Sequence, residues 1–381
     1  MRKKIKNLGI ILDNSFLSQD SIVFVPNAQI PREFVDELEE DELSVTLFAQ
    51  SNEMGSVHDK WPIASENTVA FPMSNFNHLQ KIFFYIWVFK RTLKLQKPDF
   101  MYLFLPSTLG TVFLPSVFMK RIPFAVYLRC EIRRRGFVDK ILFNVFIRRA
   151  LRSAQFVLTA GPQNKALASK YNRNVELVVP MLNVGPADLK CKNTYKLNSP
   201  PRMLFISRLE QAKGIFEAIQ AVLELKKQGT RVELHVVGAG KESIENELRN
   251  IAKESPSEII LHGKISNRHD LHQMYIDSDV MLFPSYYPEG FPRVLYEAMA
   301  FGLPIISADI APLREFMTHK VNCIKVAAKD SPALVDAIAL VLKDDELRAG
   351  IGRTGFGFAK KLLTKNASLS HAKQLIHRLR S

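Results

Sequence analysis

Two carboxylates, Glu289 and Glu297, stand eight residues apart in the run Phe283-Pro-Ser-Tyr-Tyr-Pro-Glu-Gly-Phe-Pro-Arg-Val-Leu-Tyr-Glu-Ala-Met-Ala-Phe-Gly-Leu-Pro-Ile-Ile-Ser. A strand ends before this segment and a helical pattern begins near Arg293. At about 1.5 Å of rise per residue the carboxylates lie roughly 12 Å apart along the axis. That is too long for the acid and base pair of a hydrolytic enzyme. It suits a long ligand with hydroxyls at both ends and phosphates between, as in a nucleoside diphosphate sugar. Gly290 lets backbone approach such a ligand closely. The N–H groups around Phe291, Arg293 and Val294 place roughly half a positive charge at the helix start. The plainer alternative makes Glu289 a carboxylate that satisfies the helix dipole and Glu297 a solvated helix residue.

A second segment supplies cations. In Phe205-Ile-Ser-Arg-Leu-Glu-Gln-Ala-Lys-Gly-Ile a strand ends at Ser207-Arg208, and Lys213-Gly214 opens the next helix five residues later. Arg208 as a planar fork and Lys213 as a point charge can both neutralise a diphosphate. Rival motifs are weaker. Asp277-Ser278-Asp279 is a D-x-D of the kind that holds a divalent cation on a diphosphate, but it abuts the strand Val280 to Phe283, where Asp279 reads better as a strand-start residue. Gly238-Ala-Gly240 begins a dinucleotide fingerprint whose third glycine position is Ser243, which argues against hydride chemistry. His262, His269 and His272 have no carboxylate partner in sequence and make a poor metal set.

These residues must be positioned by something, and the chain alternates short β-rich runs with longer helical patterns, the signature of parallel α/β architecture. The pattern occurs twice. Strands are expected near Gly9 to Leu12, Val45 to Phe48, Phe100 to Leu105, Phe124 to Leu128, Phe156 to Thr159 and Leu177 to Val179, with helices over Phe76 to Leu95 and Phe137 to Leu151. After a polar, proline-broken stretch from Val184 to Arg202 that reads as a linker, strands recur near Met203 to Ile206, Val232 to Val237, Ile259 to Leu261, Val280 to Phe283 and Ile305 to Ser307. Helices are expected between them near Phe216 to Lys227, Lys241 to Ala252, His269 to Ile276 and Arg293 to Ala300. Two Rossmann-like domains facing each other across a cleft follow, with ligands at the carboxyl ends of the strands. The expected boundaries are 1–185 for an acceptor-binding domain, 186–360 for a nucleotide-sugar-binding domain, and 361–381 for a C-terminal helix packing back on the first.

The 381 residues, 47% apolar and 24% charged, are too many for one core and exclude disordered or fibrous classes. Three distant cysteines, Cys130, Cys191 and Cys323, form neither a disulfide framework nor a zinc spacing, so a reducing cytoplasm is expected. The net charge of +14 is uneven: residues 1–59 carry 5 basic and 11 acidic side chains, whereas residues 60–173 carry 19 and 4. A basic face attracts phosphates on lipid, nucleic acid or small substrate alike. The uncharged stretch Met101 to Met119 approaches a membrane span in length but holds Pro106, Gly110 and Pro115, and a strand, turn and buried helix explain it better. Ile82 to Phe89, flanked by Lys81 and Lys90-Arg91, suits a helix in a core or against headgroups.

The motifs together resemble the family-four retaining glycosyltransferases of GT-B architecture. The resemblance rests on E-x(7)-E in P-E-G-F-P-R-V-L-Y-E-A-M-A-F-G-L-P-I-I-S, on S-R-L-E-Q-A-K-G, on L-H-V-V-G-A-G, and on L-H-G-K-I followed by S-D-V-M-L-F-P-S, and it covers about Arg202 to Leu347. It implies a metal-independent, hexosyltransferase-like enzyme that needs no cofactor. Glu289 would contact the transferred sugar, Glu297 the ribose, and Arg208 with Lys213 the departing diphosphate. Ser207, Gly238, His262, Gly263, Lys264, Gly290, Phe291, Pro292, Arg293 and Val294 would border the donor. In the first domain the glycine-rich turn often found after the first strand is replaced by Leu12-Asp13-Asn14-Ser15, and a histidine of many members by Arg129. Asp13, Asn14 and Arg129 would line the acceptor side, although Arg129 could equally pair with Glu131. The expected partners are a nucleotide-sugar donor, a glycan or lipid-linked acceptor in bacterial surface polysaccharide synthesis, and an anionic membrane surface met through residues 60–173; no nucleic acid is expected. A nucleotide-sugar epimerase, or a catalytically silent basic protein, is the alternative.

Overall fold

Strands buried on both faces by helices are apolar throughout rather than alternating. The runs Phe100–Leu105, Phe124–Leu128 and Val280–Phe283 have that character, and in the computed structural model every residue of the three is buried. The structure describes residues 5–19, 22–26, 32–52, 60–64, 67–72, 78–129, 143–178, 182, 184–287, 292–314, 316–365 and 370–381. They divide into two units, Met1–Met181 with Ser368–Ser381, and Leu182–Ala367.

The first unit is built on β1 (Asn7–Gln19), β2 (Ile22–Pro26), β3 (Ser44–Asn52), β4 (Lys60–Ala64), β5 (Thr68–Pro72), β6 (Phe100–Leu105), β7 (Phe124–Leu128), β8 (Val157–Thr159) and β9 (Val175–Leu177). The strands β5-β3-β1-β6-β7-β8-β9 run parallel in that spatial order, and β2 with β4 extends the far half of β1 as an antiparallel ribbon. The expected turn after the first strand is not a turn. β1 continues to Gln19, and Leu12-Asp13-Asn14 opposes the single residue Ala49, because the register breaks between Ile11 and Ser15. Such a bulge re-aims a strand without ending it. The helix expected over Phe76 to Leu95 spans His78–Lys94, and the last strand lies two residues earlier than expected, at Val175–Leu177. Of the helix expected over Phe137 to Leu151, the described part is a π-type turn Phe143–Ile147 that leads into Arg148–Ser153.

Met101 to Met119 is a buried strand followed by the helix Thr108–Met119, capped by Ser107, whose Oγ accepts from the Gly110 N–H at 2.9 Å. Among the described residues no helix is long and apolar enough to cross a membrane. The helix His371–Arg380 belongs to this unit: His371, 5% exposed, sets its Nε2 2.7 Å from the Tyr102 hydroxyl, and its ring lies against Tyr127 and Phe34.

The second unit holds β10 (Arg202–Ile206), β11 (Glu233–Val237), β12 (Ile259–Gly263), β13 (Val280–Phe283), β14 (Ile305–Ala308) and β15 (Ile324–Val326), all parallel, in the order β12-β11-β10-β13-β14-β15. One face, with Met203, Phe205, Leu234 and Val236, packs under the helices Ile215–Lys227 and Ser331–Lys343. The other, with Leu204, Ile206, Met281 and Phe283, packs against Arg268–Asp277, Arg293–Ala300 and Asp345–Lys365. The stretch Val184 to Arg202 is no free linker. It lacks periodicity because it is a strap on this unit, fastened where Lys192 Nζ donates to the Ile276 carbonyl at 2.6 Å and the Lys190 N–H to the Ala300 carbonyl at 3.1 Å.

Candidate active site

In an open parallel sheet, ligands gather outside the carboxyl ends of the strands where strand order reverses. In the second unit that point lies between β10 and β13. The segments leaving these two strands are pressed together by glycines. Gly214 has φ +79°, and a Cβ there would lie 2.4 Å from the Pro284 carbonyl oxygen. Gly238, after β11, has φ +148°, and a Cβ there would lie 1.9 Å from the Ser207 carbonyl oxygen. Only glycine tolerates both the conformation and the approach. Backbone bonds complete the join: Ser207 N–H to Val237 O at 3.1 Å, Leu209 N–H to Ala239 O at 2.9 Å, Gly238 N–H to Gly263 O at 2.8 Å and Tyr286 N–H to Ala212 O at 3.0 Å.

Upon this frame sit the two cations. Lys213, in the short turn Gln211–Lys213, is only 8% exposed, and its Nζ lies 4.2 Å from the centroid of the Tyr287 ring. Arg208 is largely exposed; its Cζ lies 5.6 Å from the same ring, and its Nη1 lies 2.6 Å from Glu210 Oε1. A buried ammonium held on a ring face gains roughly 0.5–2 kcal/mol from the ring's quadrupole. Tyr287 thus gathers two positive charges that would otherwise repel, at the edge of the reversal point. Sequence reasoning assigned no role to Tyr287. The available signal was an aromatic pair, Tyr286-Tyr287, directly after a buried strand.

The helix Arg293–Ala300 begins after the buried Pro292, whose carbonyl accepts from the Leu295 N–H at 3.1 Å, and the positive end of its dipole lies at Arg293 and Val294. Glu297 is 2% exposed, and its Oε2 accepts from the Tyr275 hydroxyl at 2.9 Å. The solvated alternative for Glu297 is therefore corrected: Leu295 to Ala300 are all buried, so the helix has no solvent face at this position. Burial, and next the Glu297 carboxylate, push the Tyr275 hydroxyl well above its ordinary range, so it stays a donor. Glu289, Gly290 and Phe291 lie outside the described residues, as does the Glu289 end of the expected separation.

His262, Gly263 and Lys264 end β12 beside Gly238, with all three residues exposed. His262 Nε2 lies 3.0 Å from His235 Nδ1, and His235 Nε2 lies 3.2 Å from Glu233. Partial desolvation by the atoms packed around its ring, then the second imidazole, lowers the His262 pKa. His269 is fully solvated and His272 rests on the Phe301 ring, so the three histidines do not converge. Asp279 accepts from the Arg202 N–H at 2.7 Å and from the Asn198 N–H at 3.2 Å, which tie the strap to the start of β13. Among the described residues no cluster of histidine, cysteine, aspartate and glutamate is arranged to hold a metal.

The remaining expected residues lie in the first unit. Asp13 and Asn14 occupy the bulge of β1, and Arg129 directly follows β7, half-buried, its N–H donating to the Leu105 carbonyl at 3.3 Å. Arg129 thus sits at the carboxyl end of β7, while Asp13 and Asn14 lie within β1, just past Ile11, where its pairing with β6 ends. Glu131, the alternative partner of Arg129, lies outside the described residues.

Residues 191–357 match the family described as glycosyl transferases group 1. The chain is 30% identical over 174 residues to the amylovoran biosynthesis glycosyltransferase AmsK of Erwinia amylovora, covering 44% of this chain and 42% of that one. It is 29% identical over 183 residues to the putative colanic acid biosynthesis glycosyltransferase WcaL of Escherichia coli, covering 46% and 43%. The matched stretch therefore spans less than half the length of these relatives. The fold is similar across 98% of both chains to Anabaena HepE in complex with UDP and glucose, with a TM-score of 0.67 and 16% identity. Residues 191–357 of this chain thus match the glycosyl transferases group 1, and two Rossmann-like units, each built on a largely parallel sheet, give the chain the GT-B fold.

Proposed function

We propose that the protein is a retaining glycosyltransferase that moves a sugar from a nucleotide-sugar donor to a hydroxyl of a glycan or lipid-linked acceptor, in the synthesis of a bacterial surface polysaccharide. The observation that carries this reading is the pairing of Lys213 and Arg208 on one aromatic ring at the point where strand order reverses. The names of the two relatives, an amylovoran biosynthesis glycosyltransferase and a putative colanic acid biosynthesis glycosyltransferase, support it, as does the UDP bound to the similarly folded HepE.

In the proposed reaction the bond from the sugar's anomeric carbon to the diphosphate oxygen breaks, and its electron pair leaves with the diphosphate. Negative charge then grows where Lys213, Arg208 and the N–H groups of the helix Arg293–Ala300 already stand, which is electrostatic stabilisation by prearranged groups. The acceptor hydroxyl attacks from the face the diphosphate leaves, so configuration is retained, and its proton passes to the departing diphosphate. Glu289 holds the sugar hydroxyls. Glu297, fixed by Tyr275, holds the ribose. Asp13, Asn14 and Arg129 serve the acceptor. No metal takes part, and the enzyme works in the cytoplasm at the inner face of the membrane.

The test is transfer from a panel of nucleoside diphosphate sugars, preceded by thermal-shift selection of the nucleotide, since a bound ligand raises stability by mass action. Replacement of Arg208 or Lys213 by Ala is expected to cost about 10²–10³ in turnover, as for loss of one prearranged donor. Glu289→Ala is expected to abolish transfer while nucleotide binding persists. Near-normal transfer by well-folded Glu289→Ala would overturn its assignment, and an unshifted melting temperature with every nucleotide would overturn the donor site.

A further inference from the structure

The helix His78–Lys94 of the first unit leaves part of its apolar surface uncovered. Phe83 is 69% exposed, Ile86 46% and Trp87 42%. At about 3.6 residues per turn these three share an arc of roughly 100° with Lys90 and Lys94, while Phe84, Val88 and Thr92 turn into the core. The helix has four basic residues, Lys81, Lys90, Arg91 and Lys94, and no acidic one. Lys90, Arg91, Lys94 and the following Lys97 are all exposed, and among the described residues none of the first three pairs with a carboxylate. Trp87 does not hang loose. Its ring lies 5.9 Å from Phe84 and 6.3 Å from Phe71, with the Arg91 Cζ 5.2 Å over it. Beside the C-terminal end of this helix, Lys120 Nζ donates to the carbonyls of Thr92 and Leu95, and the neighbouring Met119 is 65% exposed.

We infer that this face docks the protein on a bilayer that contains anionic lipid. Exposed aromatic and aliphatic side chains beside cations that meet no carboxylate among the described residues match what an interfacial helix presents: apolar groups for the acyl boundary, a tryptophan at headgroup level and lysines for the anionic surface. A protein partner fits less well, because lysine is depleted at protein interfaces while this patch is rich in it. The net +15 of residues 60–173 supplies the long-range attraction, and Phe83, Ile86 and Trp87 supply the insertion. The inference deepens the reading of a membrane-facing acceptor by naming the surface that reaches the membrane.

The test uses the full chain with vesicles of phosphatidylcholine alone and of phosphatidylcholine mixed with phosphatidylglycerol. Binding is expected only to the mixed vesicles and is expected to fall as salt is raised. Trp87 fluorescence should shift to the blue on binding. The shift should vanish in Trp87→Phe, with Trp61, the other of the two tryptophans, as internal control. Neutralising Lys90, Arg91 and Lys94 to Gln should weaken binding on the order of a hundredfold, at about fivefold per cation. Phe83→Ser with Trp87→Ser should weaken it at least about tenfold through lost apolar burial. Equal binding to neutral vesicles, unchanged binding by both variants, or no binding at all would overturn the inference. Nucleotide-induced thermal shifts in the same variants report on the donor site separately, so failure of the docking face and failure of the proposed transferase are distinguishable.

Discussion

Gly214→Ala examines whether the close approach of two strand-end segments sets the cationic site. Any side chain at this position meets two penalties. The left-handed conformation at φ +79° costs a non-glycine residue roughly 1–2 kcal/mol. The new Cβ would also lie 2.4 Å from the Pro284 oxygen, where ordinary contact begins at 3.4 Å, so the segments must part by about 1 Å. That parting strains the Tyr286 N–H to Ala212 O bond of 3.0 Å, worth about 1 kcal/mol net. The expected loss is about 2–3 kcal/mol, or roughly 4–12 °C in melting temperature for a unit of this size. Because Lys213 precedes Gly214 and Tyr287 follows Tyr286, the same shift separates the ammonium from its ring, and a misplacement of about 1 Å is expected to lower kcat/KM on the order of a hundredfold. Thermal melts with and without nucleotide, together with steady-state transfer, measure both. A variant that melts within about 1 °C of wild type and binds nucleotide as tightly would show that the glycine contact does not set the site.

Tyr275→Phe should keep the fold but cost about 1.5–3 kcal/mol, because the buried Glu297 carboxylate loses its hydroxyl donor; an unchanged urea midpoint would refute the importance of that bond. The nucleotide affinity of this variant should fall more than its affinity for inorganic pyrophosphate, if Glu297 meets the ribose. Asp279→Ala should lower the melting temperature by unfastening Asn198 and Arg202, while transfer per folded molecule and insensitivity to a metal chelator stay unchanged; loss of turnover restored by added divalent metal would revive the metal-binding reading of Asp277-Ser278-Asp279.

The fold class is legible because doubly covered strands are uniformly apolar: Phe100–Leu105, Phe124–Leu128 and Val280–Phe283 each lie where the pattern puts them. The short strands β2, β4 and β5 are not legible. Each carries a proline, Pro26, Pro62 and Pro72, and their partners in the sheet, not their own patterns, make them strands. At the site, the two cations and the helix start can be read from residue types at strand ends. The grip of Tyr287 on Lys213 and the burial of Glu297 cannot, since both depend on contacts between segments some twenty to seventy residues apart. The polar strap from Val184 to Arg202 looks like a linker for the same reason: its order comes from what it is tied to.

The helix His371–Arg380 has a consequence for biosynthesis. Ala372, at 1% exposed, and Leu375, at 0%, sit buried in the first unit, and His371 reaches Tyr102 across 269 residues of sequence. During translation the first sheet must therefore wait, with the face around Tyr102 and Tyr127 uncovered, until the whole second unit has left the ribosome. The nascent chain thus threads its order of assembly backwards, the later-made half free to finish first, and a stalled ribosome would leave the earlier half open to chaperones and proteases.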